Sequence, residues 1–213
     1  MDTASPDVVD EPVRTPESHT SWKRFALFSV PAGLAVGGIL VAMAQGALAA
    51  SFTVSGQDFK ISADELRGEG FVQYGWLDQS VRQDAVPVAV AGIASAEIDG
   101  LCQSVLTEFP LIGKISLELT AGDQGTPVQA ENLVIDMSQM DGNAEFTNIE
   151  IGRDAGTLDK GPAGAQGFND LFGMQSDIIV VENLEQTARA ASAGTFRLSG
   201  LSLGLSLGES ECF

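Results

Sequence analysis

The stretch Gly194–Ser210, GTFRLSGLSLGLSLGES, supports two incompatible readings. Residues 200–208 contain G-x-S-x-G twice in overlap, centred on Ser202 and Ser206. In α/β-hydrolases that pattern is the nucleophile elbow, where a strand ends at the serine and a helix begins after it. The same residues also alternate. Leu201, Leu203, Leu205 and Leu207 fall on one parity and Ser or Gly fills the other, which describes a β-strand with one apolar and one small polar face. The alternation passes through both serines without a break. The chain ends a few residues later, leaving no room for the acid and histidine that follow the serine in the hydrolase fold.

Stoichiometry bears on the same choice. The single histidine of the chain, His19, precedes a long apolar run near the N-terminus and is separated from the serines by it. Without a general base a serine hydroxyl is a weak nucleophile, so a Ser-His-acid triad is not available to the C-terminal region. A Ser-Lys dyad would have to use Lys60, Lys114 or Lys160, and no spacing singles one out. The strand reading is therefore preferred, with Ser202 and Ser206 kept as the only catalytic candidates.

Working outward, the rest of the chain has the same period. FKISADEL (59–66) alternates Phe59, Ile61 and Ala63 with polar residues, and KISLELTAG (114–122) alternates Ile115, Leu117 and Leu119. AEFTNIEIG (144–152) sets Phe146 against Ile149 and Ile151 after a one-residue slip. VPVAVAGIASAEIDG, VQAENLVIDM and SDIIVVENL are further β-rich runs, separated by AGDQGTP, by DGN as a hairpin turn, and by the Gly-rich segment 152–167, read as a flexible surface loop. WLDQSVRQDA and FNDLFGMQ are the only helix candidates, with NLEQTARAASA ambiguous. The fold class is all-β. A small-acidic-x-aliphatic echo at Ala63–Leu66, Ala96–Ile98, Ala130–Leu133 and Val181–Leu184 recurs at 33 or 34 residues, then at 51. It fits a short β-solenoid or stacked hairpins, while a β-sandwich explains the alternation equally well.

The N-terminus sets topology. Lys23 and Arg24 precede an uncharged run, residues 25–44, long enough to cross ~30 Å of hydrocarbon. The flanking cations leave residues 1–22, Pro-rich, acidic and expected to be disordered, in the cytoplasm. Residues 23–50 form a transmembrane anchor, and residues 51–213 a single extracytoplasmic domain. The small residues Ala47 and Ala49 offer a competing signal-peptidase site, and cleavage after Ala49 would release that domain. Residues 51–213 hold 8 Lys/Arg against 24 Asp/Glu. A surface that acidic repels phosphate backbones, so nucleic acid is excluded as a partner. Cys102 and Cys212 both follow the apolar run, in the compartment where disulfides persist, and are expected to pair. Closing a loop of that length stabilises the fold by ~4–5 kcal/mol on the chain-entropy estimate.

Other chemistry finds little footing. No His or Cys cluster exists for zinc or copper. DMSQMDGNAE (136–145) gathers carboxylates but lacks EF-hand spacing, so no metal and no cofactor is expected. Phe71, Tyr74 and Trp76 in GEGFVQYGWLDQ (68–79) are the candidate lining of an apolar ligand groove.

FTVSGQDFKISAD, GFVQYG, GLCQSV, GTPVQAENL, AEFTNIEIG, AGTFRLSGLSLGL and the terminal ECF span the domain in order. Through them the region 51–213 resembles an uncharacterised actinobacterial family of membrane-anchored exported proteins, sometimes labelled cholesterol esterase. The resemblance implies an exported, anchored domain and no catalytic residue. The functional expectation is a non-enzymatic cell-envelope protein, held at the membrane through residues 25–44, that binds a lipid-like ligand, a wall component or a protein partner. The alternative is a serine hydrolase acting on lipid or sterol esters.

Overall fold

The computed structural model describes residues 57–79, 85–123 and 125–213. The leader (1–22), the anchor (23–50) and the start of the domain lie outside the described residues. Nine strands form one antiparallel sheet: β1 (Phe59–Gln79), β2 (Ala85–Asp99), β3 (Leu101–Phe109), β4 (Gly113–Ala121), β5 (Val128–Thr147), β6 (Glu150–Asp154), β7 (Phe172–Ser192), β8 (Thr195–Arg197) and β9 (Ser202–Leu207). Neither helix candidate is helical where described: residues 76–79 are in β1 and Ala85 in β2, residues 168–171 lead through a turn into β7 at Phe172, and residues 183–192 of NLEQTARAASA are also in β7. Pairing with neighbouring strands outweighs the weak 3.6-residue pattern.

The pairing path closes on itself. β1 pairs with β2, β2 with β5, β5 with β7, and β7 returns to β1 from Phe59–Ala188 to Tyr74–Gly173. The four long strands thus form a ring, which is neither two separate sheets nor stacked coils. The 33-residue echo has a simple origin here. Its aliphatic and small members, Ala63, Leu66, Ala96, Ile98, Ala130, Leu133, Val181 and Leu184, are all buried in the ring's core, one copy per long strand.

Strands of about twenty residues close a small ring only by bending. Gly100, between β2 and β3, has φ +63° and lies opposite Asp64, flanked by the registered pairs Ser62–Cys102 and Glu65–Asp99. β2 and β3 therefore run as one strand against β1, kinked at a residue whose conformation disfavours any side chain. Asn183, φ +53°, faces Asp64 from the other side, between Ala63–Leu184 and Glu65–Glu182. Asn tolerates the left-handed region better than other side-chain-bearing residues. Gly142 lies in the same zone at a register shift between Asp141 and Asn143. DGN is thus a bulge inside β5, not a hairpin turn: the strand continues because β7 pairs with it on both sides of the irregularity.

The segment 152–167 is not a free loop. It contains a one-turn 3₁₀ helix (Ala155–Thr157) and lays Ala155, Leu158 and Ala165 on Val72, Tyr74, Val88 and Val90, a second core on the ring's outer face. Asp154 accepts from the Gly156 and Asp170 N–H groups, and the buried Gln175 accepts from the Asp159 N–H at 2.9 Å. Gly167 fits against the Tyr74 ring, where a Cβ would lie 3.0 Å from Cδ2.

Past Gly100 the sheet leaves the ring as a three-stranded wing, β3–β4–β9. One face carries the buried Ser104 and Ser116 under the C-terminal tail. The Cys212 N–H donates to Ser104 Oγ (3.0 Å), the Ser210 N–H donates to Ser116 Oγ (2.8 Å), and Lys60 pairs with Glu211 (3.1 Å). Cys102 and Cys212 are disulfide-bonded, with Cα atoms 5.8 Å apart. The Cys102→Ser/Cys212→Ser variant is expected to lose about 4 kcal/mol of unfolding free energy in urea titration. Its last six residues should become the first site of limited proteolysis. An unchanged midpoint would show that the hydrogen bonds to Ser104 and Ser116 suffice to hold the tail.

Candidate functional site

Ser202 and Ser206 lie within β9, opposite Thr120 and Ser116 of β4. The strand runs through both, no helix follows, and β9 is exposed along its length. The serines therefore sit on an ordinary edge strand. Histidine is absent from the described residues, the chain's only one being His19.

The aromatic trio is divided by the sheet. Phe71 is 2% exposed inside the ring, its centroid 5.7 Å from that of Phe146. Tyr74 and Trp76 face the other way. Tyr74 is buried beneath the 152–167 cover, Trp76 packs edge-on against it at 6.3 Å, and Phe168 stacks on Trp76 at 4.3 Å. β1 runs without a register shift from Phe71 to Trp76, so two-residue alternation sends Phe71 to one face and Tyr74 and Trp76 to the other. The three residues do not share a groove.

An apolar cavity of about 350 Å³ instead opens at the end of the ring where the wing departs. Its wall is built from the inward positions of all four ring strands, Leu66, Ile98, Leu133 and Leu184 among them. Phe196 of β8 and Leu198 close one side, and Gln103 and Leu119 of the wing form another. At ~30 Å³ per small group, the volume holds roughly a dozen non-hydrogen atoms. Three polar side chains break the apolar lining, Gln103, Gln186 and Ser192. Gln186 is 2% exposed and its Nε2 has no acceptor. A buried amide left without a partner costs on the order of 1–3 kcal/mol, so the position favours an oxygen-bearing guest. The sequence reading missed this cavity because its walls are aliphatic residues from six strands, each unremarkable in its own stretch.

A second polar group lies on the outer face. Burial, with the Asp78 carboxylate nearby, pushes Asp136 up to about 6. Burial, then the charge of Asp136, pushes Tyr74 up to about 12. Asp78 is itself raised by burial, against a lowering by Arg189, which reaches Asp58 at 3.3 Å. Among the described residues no three His, Cys, Asp or Glu side chains converge as metal ligands.

Because the folded state holds the Asp136 proton more tightly than the unfolded chain, stability contributed by this group falls as pH rises from about 4 to about 6 and stays low above. The Asp136→Asn variant should melt at a higher temperature than wild type at pH 7.5 and lose that advantage at pH 4. The difference between the two melting curves cancels the exposed Glu150, Asp177 and Glu209, whose lowered values act in the opposite direction. A difference that is flat with pH would remove Asp136 as the responsive group.

No curated protein and no solved structure matches the chain. One family model does, over residues 55–213, the whole of the ring, cover, wing and tail. The chain belongs to the DUF6230 family, a family of unknown function.

Proposed function

We propose that this domain is a membrane-tethered, non-enzymatic module of the cell envelope that holds a lipid-like molecule in the ring cavity. The observation that carries the reading is the cavity itself, of ligand-binding size, lined by aliphatic side chains from every ring strand and interrupted by two amides and the Ser192 hydroxyl. A fatty acyl chain of about ten carbons with an ester or acid oxygen answers both features, filling the apolar volume and giving Gln186 an acceptor. In this reading residues 25–44 hold the chain in the membrane with the domain outside the cytoplasm, or, if cut after Ala49, the domain is secreted. A strongly acidic surface suits neutral or zwitterionic lipid better than anionic headgroups.

The ester-hydrolase alternative rests on Ser202 and Ser206. Neither lies among the residues lining the cavity, and each sits on an exposed edge strand. Both Ser202→Ala and Ser206→Ala are expected to leave any turnover of short-chain or steryl esters unchanged. A serine-dependent rate would revive the hydrolase.

The binding test compares the full-length wild type with Ala191→Trp, whose new side chain enters the cavity from an exposed wall position. Mass spectrometry of the purified wild type is expected to find an acyl lipid near one equivalent, and the variant should lose most of it. A wild type that carries no lipid and takes up no diazirine-labelled fatty acid would remove the binding reading.

A further inference from the structure

The wing presents its other face bare. By register, three cross-strand rows run outward on the side opposite the C-terminal tail: Gln103–Leu119–Leu203, then Val105–Leu117–Leu205, then Thr107–Ile115–Leu207. In the ring the corresponding face points into the core, since Ile61 pairs with Gln103 and both line the cavity. The wing's apolar face is thus the inner wall of the ring continued past the point where the ring stops closing. Leu203, Leu205 and Leu207 are 63–79% exposed, far more than a soluble domain needs. The first row touches the cavity through Gln103 and Leu119. The last row leads to the β3–β4 hairpin, where Phe109, Leu111 and Ile112 are exposed with Leu111 fully so.

The described chain begins beside the outer end of the wing. Gln57, the first described residue, meets Thr107 Oγ1 at 3.5 Å, beside that hairpin. Only residues 45–56 lie between it and the uncharged run, a contour of at most about 43 Å. The rows run from the hairpin beside which the described chain begins to the cavity, and in the reading of residues 25–44 as an anchor a tether of that length lets the hairpin reach the membrane interface. From Gly113 to Leu119 is six residues, ~20 Å of strand, close to the roughly 20 Å of one leaflet's hydrocarbon and headgroup region.

We propose that the apolar face of β3, β4 and β9 is a ramp along which the hydrocarbon chain of a bilayer lipid passes between the membrane interface and the ring cavity. The hairpin Phe109–Gly113 seats in the interface, and the chain slides over the leucine rows past Leu119. This rests on the reading of the cavity as a lipid site and of residues 25–44 as an anchor.

The test uses the full-length chain in phosphatidylcholine vesicles carrying phosphatidylcholine with a diazirine on its acyl chain, irradiated and mapped by peptide mass spectrometry. Label is expected on 105–119, on 201–207 and in the cavity wall. Leu203→Asp/Leu205→Asp, at exposed positions that the fold tolerates, should cut cavity labelling from vesicles roughly ten-fold, because a carboxylate on the path repels a hydrocarbon chain. The same variant should label normally with a diazirine fatty acid supplied in water. Equal cavity labelling of variant and wild type from vesicles would overturn the ramp and leave the cavity reading intact. Absence of cavity label from both probes in wild type would overturn the lipid site itself. Cross-links between β9 strands of two copies, with no lipid label there, would assign the face to a dimer and overturn the ramp.

Discussion

Everything in this molecule follows from one backbone constraint: the return of β7 to β1. An open sheet of four long strands would leave two edges of unpaired N–H and C=O groups, each costly to bury and prone to pair elsewhere. Pairing β7 with β1 over Phe59–Tyr74 removes both edges over the ring. Closure with so few strands demands sharp bends, and the bends fall where the chain supplies residues tolerant of positive φ, at Gly70, Gly100, Asn132, Gly142 and Asn183. Those positions form two zones, Gly70 and Asn132 either side of Ala94, and Gly100 and Asn183 either side of Asp64 with Gly142 beside Asn183, so the irregularities gather into two bends.

Closure also creates the asymmetry of faces from which the proposed chemistry arises. Inside the ring the side chains are aliphatic, and a stretch of wall at its open end is not filled. Outside, the apolar stripe of Val72, Tyr74, Val88 and Val90 would meet water, and the 152–167 segment covers it. Elsewhere on the sheet, burial is the largest cause of the raised values of the Asp78 and Asp136 carboxyls. The wing inherits the same two faces without the ring's closure. Its polar face is sealed by the tail and the Cys102–Cys212 bridge, and its apolar face is left open.

The opening stretch shows how local pattern and function part company. Alternation through Ser202 and Ser206 marks a strand, and β9 is that strand, so the esterase-like motif is a consequence of small residues on one face. The cysteine count pointed to the pair that the fold brings together. The echo of small and aliphatic residues marked true core positions, yet its period described ring strands where a coil also fitted. Phe71, Tyr74 and Trp76 were grouped by nearness in the chain, which the two-residue alternation of β1 undoes, since position 71 faces the side opposite 74 and 76.

By itself, the sequence determined the all-β class, the acidic charge, the cysteine pair and the alternation of apolar positions along the strands, because these depend on two-residue periodicity and composition within short windows. Only the tertiary structure decided that the sheet closes, that the Gly-rich segment is a cover, that a cavity remains at the ring's end and that the leucines of β9 stay exposed. Each of these depends on which strands become neighbours and in what register, and that is set by bends and pairings between residues a hundred or more positions apart, about which local alternation carries no information.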